Sequence, residues 1–368
     1  MSGLYIHIPF CHSKCIYCDF FSTPRKYDSE AYVDALLNEL KQRRAEISEP
    51  FSTIYIGGGT PSSLSHDTLN SLLSKLPISE AEEITVEVNP EDVNEQLIDI
   101  LRKNGVTRVS MGIQSLNDDE LKAVGRRHTA SRAIDALTSL LEAGFNVSAD
   151  LIYGLPGQTI ESWNTSLLSL LAHRPHHLSC YILSYEPDTP LTRLLNKGKI
   201  TEADDNTIAE MYSILCRETA AAGYEHYEIA NFALPGYHSR HNSAYWRFAP
   251  YIGLGPGAHS FDGKIRRLNP HDIERYISSR DLDFTEKEEE TAEQLSNDYI
   301  MVALRTSEGI DLNYLTTLAG SKRTERVKKT AEKYLDEGKM ELTAAGGLRI
   351  AEQSWLVGDS LTLDFIEI

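Results

Sequence analysis

Three of the five cysteines in this sequence fall within eight residues, in the run Cys11-His12-Ser13-Lys14-Cys15-Ile16-Tyr17-Cys18. Thiols crowded in this way serve metal or redox chemistry, and an odd total argues against a disulfide framework. Three cysteines can ligate three irons of a 4Fe–4S cubane, where ordinary sites use four. The other two, Cys180 and Cys216, stand far away and read as small buried hydrophobes. One iron would then stay open to chelate the amino and carboxylate groups of a small ligand, as an open metal position does in catalysis. The rival reading is structural zinc, because His7 precedes Cys11 by four residues and completes a Cys3His set. Against it, His7 lies inside a strand pattern, and zinc sites usually use two separated pairs of ligands.

The elements that must position this loop are legible upstream and downstream. Short apolar runs at 4–9, 53–57, 84–88, 106–111, 147–152 and 178–183 read as strands. Amphipathic patterns at 29–45, 67–75, 95–103, 131–142 and 160–171 read as the helices between them, with Asn94 as a cap and Gly105 as a stop. Repeated βα units imply a parallel sheet, and right-handed crossovers favour a barrel or partial barrel over the doubly wound alternative. In such folds the functional residues sit at the carboxyl ends of the strands. The unusual residues fall there. The cysteines follow the first strand and Gly57-Gly58-Gly59-Thr60-Pro61 follows the second. Glu87-Val88-Asn89-Pro90 closes the third, Gln114 follows the fourth, and 150–156 closes the fifth.

Bulk properties narrow the classes. The 368 residues suffice for one large domain and a smaller one. No apolar run approaches the roughly 18 residues of a membrane span, and no secretory signal pattern precedes Cys11, so a cytoplasmic protein is expected. With 36 basic and 54 acidic side chains the formal charge is −18, which repels phosphate backbones and disfavours nucleic-acid partners.

Beyond residue 200 the rhythm changes. A helix at 204–222 leads into an aromatic, glycine-rich stretch at 238–261. The acidic run 286–290 reads as a solvated helix start or linker. Two or three helices and a hairpin turned by Gly346-Gly347 then suggest a winged-helix-like unit. The expected division is a barrel domain at 1–285, carrying the cysteine loop and the aromatic extension, and a C-terminal domain at 286–368.

The cysteine triad with its intervening Tyr17 resembles the signature of the radical S-adenosylmethionine (SAM) enzymes, and the Gly57–Pro61 run resembles their loop for the methionine amino group. Glycines there let the backbone come close to a ligand and leave its amides free. Tyr5-Ile6-His7-Ile8-Pro9-Phe10, Gly112-Ile113-Gln114-Ser115, Asp150-Leu151-Ile152-Tyr153-Gly154-Leu155-Pro156 and Tyr251-Ile252-Gly253-Leu254-Gly255 are similar to segments of the oxygen-independent coproporphyrinogen III oxidase family. That resemblance implies a partial (β/α)6 barrel of TIM type with a small C-terminal helical domain. It implies Cys11, Cys15 and Cys18 as cluster ligands, with Tyr17 beside them. It implies Tyr5, Gly58, Gly59, Thr60 and Glu87 as SAM contacts, and Gln114, Arg126, Asp150 and Ser184 in the same cavity. His259 falls where the oxidase has an apolar cofactor contact. The plainer alternatives are helix caps for Glu87 and Asp150 and a surface ion pair for Arg126.

Two features depart from the oxidase. Phe20 stands where the oxidase has a further cysteine, and His241-Asn242-Ser243-Ala244-Tyr245-Trp246 resembles a motif of the haem chaperone branch. An imidazole followed by two aromatic rings suits haem, so His241, Tyr245 and Trp246 are the candidate haem residues; the alternative is a hydrogen-bonded core histidine beside core aromatics. The expected function is a haem chaperone holding haem, a 4Fe–4S cluster and SAM, and serving apo-haemoprotein acceptors. The alternative is the oxidase, in which a SAM-derived radical starts decarboxylation of a porphyrinogen; a tRNA-modifying enzyme is disfavoured by the charge. The pattern implies no transmembrane segment and leaves room for peripheral membrane contact.

Overall fold

The computed structural model describes residues 2–47, 49–279, 281 and 285–367. Strand β1 (Gly3–Ile8) buries every residue but Tyr5, as a parallel strand covered on both faces must. It is followed in chain order and in space by β2 (Thr53–Gly58), β3 (Glu83–Val88), β4 (Arg108–Gln114), β5 (Asn146–Tyr153) and β6 (His177–Ile182), all parallel. A doubly wound sheet would reverse its strand order at a switch point. This one does not reverse, and the six strands form the partial barrel that the sequence implies.

The intervening helices begin on side-chain caps. Asp28, Ser65, Asn94, Thr129 and Thr159 accept from first-turn amides of the helices Ser29–Arg43, His66–Ser74, Glu95–Lys103, Ala130–Glu142 and Ile160–Ala172. Each cap of this type stabilises its helix by about 1 kcal/mol. Two further short helices, Asp118–Ala123 and Pro190–Asn196, lie between the elements that the sequence marks.

Both edges of the barrel are extended. Beyond β6 lie β7 (Glu225–Glu228) and β8 (Asn231–Ala233), antiparallel. Beyond β1 lies β9 (Tyr251–Leu254), parallel to it, then β10 (His259–Phe261), β11 (Ile265–Leu268) and β12 (Glu286–Glu289), antiparallel. The acidic run is therefore an edge strand rather than a linker or helix start. Its charges are matched by Lys264 with Glu289 and by Arg266 with Glu290. The outermost strands β12 and β7 do not pair, so the barrel stays open.

An enclosed ion pair fixes the added strands. Arg43, wholly buried, donates to Glu39 Oε1 at 2.9 Å, to the Gly253 carbonyl at 2.8 Å and to Ser260 Oγ at 2.8 Å. Ser260 thus faces the outer helix layer. By strand alternation His259 and Phe261 face the lumen. The C-terminal part carries helices Ala292–Ala303, Leu312–Ala319 and Ser321–Asp336, the hairpin β13 (Met340–Leu342) and β14 (Leu348–Ile350), and a returning helix Gly358–Leu363. Its apolar residues, among them Ile300, Leu315 and Val327, continue the core of the barrel. Among the described residues no helix is long and apolar enough to cross a membrane.

Candidate functional site

The carboxyl ends of the parallel strands open on a chamber of about 510 Å³ lined by Cys11, Cys15 and Cys18. Their loop is tied down on both sides. The Cys11 amide donates to the Thr23 carbonyl at 3.1 Å and the Thr23 amide to that of Pro9 at 2.8 Å. The Ile16 amide donates to Val124 O at 3.3 Å, while Ile16 O accepts from Leu191 at 2.9 Å. All three thiols are free and half-buried, and burial pushes those of Cys11 and Cys18 up from the ordinary range. Binding a metal there releases their protons.

The donor set separates iron–sulfur from zinc. Around one tetrahedral ion with Zn–S near 2.3 Å, the sulfurs would stand about 3.8 Å apart. Among the described residues the three cysteines do not gather within 4.8 Å of one another. His7 is also spoken for, with Nδ1 on Tyr5 OH at 2.9 Å and Nε2 on the Phe21 carbonyl at 2.8 Å. A cubane, whose cysteines bind separate irons, fits this spread; a Cys3His zinc site does not.

Close approach explains the glycine run. Gly58 has φ +114°, and a Cβ on it would lie 2.6 Å from the His7 ring. A Cβ on Gly59 would lie 2.6 Å from Phe10 O. The amides, expected to be free, are taken: Gly58 N donates to Glu87 Oε2 at 3.0 Å, Gly59 N to Ile8 O at 2.7 Å and Thr60 N to Phe10 O at 2.7 Å. The run therefore clamps β2 to the cysteine loop. Glu87 also accepts from Tyr55 OH at 2.6 Å. Burial lifts its carboxyl to about 7, against the lowering effect of those hydrogen bonds.

Gln114 ends β4 in the left-handed region, φ +69°, where its register with β5 shifts. A non-glycine residue held there stores strain of roughly 1–3 kcal/mol, a feature that clusters at functional sites. Arg126 donates to Asn89 Oδ1 at 2.8 Å, to the Gly112 carbonyl at 2.5 Å and to Cys15 Sγ at 3.7 Å. Those contacts place it in the chamber wall rather than in a surface ion pair. Asp150 accepts from Ser110 and Ser148 at 3.4 Å, and burial raises its carboxyl to about 6. Tyr17 and Ser184 complete the lining, Ser184 bonded to Glu186.

Sequence reasoning missed Arg108. It is 2% exposed, and among the described residues it reaches only His177 Nδ1, at 3.4 Å, leaving Nε and Nη1 without a hydrogen-bond partner inside the chamber wall. A buried cation in a central parallel strand was the available signal. Tyr55 and Ser179 were likewise missed.

Tyr5 and His259 are not in this chamber. They line a second one of about 610 Å³, walled by aromatic rings, which shares Phe20, Tyr55, Glu87 and Asn242 with the first. His241 and Tyr245 reach it from helix Arg240–Trp246. His241 is 1% exposed. Its Nδ1 bonds Thr53 Oγ1 at 2.8 Å, its Nε2 bonds Tyr245 OH at 2.8 Å, and its ring stacks on Tyr55. Burial, reinforced by the Arg108 charge, drives the imidazole down to about 3. Glu83 accepts from the amides of Arg240 and His241, at 3.1 and 2.9 Å, so this helix is pinned across the barrel floor. Trp246 turns away, toward a groove against the C-terminal helices, with its Nε1 buried and unpartnered.

Comparison with known proteins agrees with this geometry. A family model described as the radical SAM superfamily matches residues 5–169. The heme chaperone HemW of Bacillus subtilis is 36% identical over 323 residues, covering 84% of this chain and 85% of that one. HemW of Escherichia coli is 38% identical over 306 residues, with 77% and 79% covered. Among solved structures, the coproporphyrinogen III oxidase HemN of Escherichia coli, described as a radical SAM enzyme, superimposes with a TM-score of 0.83 at 22% identity, over 99% of this chain and 89% of that one. The chain belongs to the radical SAM superfamily and, within it, to the HemW family. The superfamily implies a 4Fe–4S cluster and SAM, and the cysteine loop fits the first.

Proposed function

We propose that this protein is a haem chaperone of the cytoplasm. The observation that carries it is the pairing of chambers: a polar one at the cysteine loop, and an aromatic one that shares its wall. The relatives named heme chaperone HemW support the haem half of the reading. Cys11, Cys15 and Cys18 would hold the cluster, which when bound supplies an electron to SAM. Around it Glu87 accepts hydroxyl hydrogens, as a carboxylate should, while Arg126 orients Asn89 and the Cys15 sulfur. Gln114, Asp150 and Ser184 face the rest of the ligand, and Tyr5 closes the aromatic side. Haem is cargo here, passed to apo-haemoprotein acceptors.

One experiment separates this from porphyrinogen decarboxylation. The reconstituted protein is titrated with hemin, and is assayed anaerobically with reductant, SAM and coproporphyrinogen III. The expected result is saturable hemin binding near one per chain with no protoporphyrinogen formed. Turnover of coproporphyrinogen to protoporphyrinogen would overturn the proposal, and so would the absence of hemin binding.

A further inference from the structure

Outside both chambers the fold gathers a thiol, an imidazole and a carboxylate from three separate elements. Cys216 comes from helix Asp205–Ala221, His226 from β7, and Glu352 from the turn Glu352–Val357 that follows β14. None of the three lines either chamber. One ligand atom of each lies within 4.8 Å of the other two. Among the described residues the three cysteines of the loop do not meet that measure, which set them apart from a zinc site. Cys180 is enclosed in the core, whereas Cys216, read from the sequence as a buried hydrophobe, is only partly covered.

The His226 ring is clamped between two parts of the chain. It stacks on Phe232 of β8 with centroids 4.0 Å apart, and it meets Trp355 edge-on at 4.3 Å. Trp355 is itself fixed, its Nε1 donating to the Ile350 carbonyl at 2.9 Å. Only 5% of the His226 side chain is exposed. Its Nδ1 stands 3.1 Å from Glu352 Oε1, and its Nε2 is buried with no hydrogen-bond partner among the described residues. A His–Glu pair with one partner open to water contributes little by itself, and it leaves the adjacent thiol and the buried nitrogen unexplained. Bonds of about 2.0 Å to nitrogen and oxygen set those ligands about 3.3 Å apart around a tetrahedral ion, close to the spacing found. A sulfur at about 2.3 Å needs roughly 3.6 Å from each, so the thiol has at most about 1.2 Å to close.

We propose that Cys216, His226 and Glu352 bind one divalent transition-metal ion of the zinc type, with water in the fourth position. Thiolate, imidazole and carboxylate are the three ligand types that zinc takes. A thiolate is too soft for magnesium or calcium, and a single one is too few for an iron–sulfur cluster. Binding expels the thiol proton to solvent. Two ligands belong to the barrel part of the chain and the third to the C-terminal part, so the ion is a clasp between them. The exposed carboxylate of Glu352 is its way in.

The test takes the cysteine loop out of competition with the full-length triple variant Cys11→Ala/Cys15→Ala/Cys18→Ala, titrated with cobalt(II) and then with zinc. The expected result is one cobalt per chain with the thiolate charge-transfer and visible bands of a tetrahedral site, displaced by zinc. Zinc should also raise the melting temperature. Adding Cys216→Ser is expected to remove the thiolate band and the rise in melting temperature. Adding His226→Gln is expected to weaken binding by roughly tenfold or more, and Glu352→Gln by less, since a carboxamide oxygen still ligates. No cobalt bands in the folded triple variant would overturn the proposal. Bands that survive Cys216→Ser would overturn it too, by placing the metal elsewhere. Should the triple variant fail to fold, bound zinc is measured on the cluster-loaded wild type and on its Cys216→Ser variant. There, zinc held only by the wild type supports the clasp, and equal zinc in both, or none in either, overturns it.

Discussion

The two chambers share Phe20, Tyr55, Glu87 and Asn242, yet they are built in opposite ways. On the cysteine side, buried charges are held in place: Arg126 by Asn89 and Gly112, Glu87 by Tyr55 and Gly58, and Gln114 by a strained backbone. On the aromatic side, rings supply area, and among the described residues the exposed His259 and His271 make no hydrogen bond. Fixed polar groups that pay their desolvation in advance suit a resident cofactor, since they need not reorganise when it binds. Rings and open imidazoles suit a flat ligand that comes and goes. The shared wall is where one ligand can sense the other.

The comparison breaks most sharply at the cysteines. Cys15→Ala should abolish the broad visible absorbance of the anaerobically reconstituted protein, while hemin binding in the other chamber persists. If both were lost together, the chambers would not be separable.

Glu87 offers a graded test. It ionises near 7 in the folded chain, above the usual glutamate range near 4.3, so the folded state holds the proton longer. Stability contributed by the protonated form is complete below about pH 4.5 and is lost as pH rises toward 7 and beyond, by up to about 3 kcal/mol. Urea unfolding of cluster-free protein should show the wild-type advantage over Glu87→Gln shrinking between pH 5 and pH 8. A difference that stays flat would mean that the carboxylate is charged throughout.

The smallest effect concerns the shared helix. Tyr245→Phe removes the hydroxyl on His241 Nε2 and should cost about 1 kcal/mol in urea unfolding. An unchanged unfolding midpoint would show that this hydrogen bond adds nothing net to the fold.

Much of the cysteine side was legible in the sequence because its residues follow strands, and a strand's end is local information. Asn94 caps its helix by donor and acceptor chemistry within three residues, and Leu97 N reaches its side chain at 2.9 Å. Arg108 was not legible as a lumen residue: alternation marks two faces without saying which is inside. Nor was the state of His241, because its partner Thr53 lies 188 residues away. His241 and Tyr245 stand four residues apart on one face of helix Arg240–Trp246, and the next residue, Trp246, turns off it, which the motif alone did not tell because no helix was read there. The acidic stretch misled because strands rarely carry four successive charged residues, and this one does so only as an edge.

That edge has a consequence for how the chain behaves among its own copies. A barrel left open exposes backbone donors and acceptors at its rim, and β12 covers one rim with Glu-Lys-Glu-Glu, every side chain exposed. Two such rims meeting would set carboxylates against carboxylates, on molecules that each carry a formal charge of −18. The strand that completes the sheet is thus also the one that keeps sheets from joining, and acidification that neutralises its glutamates removes that guard.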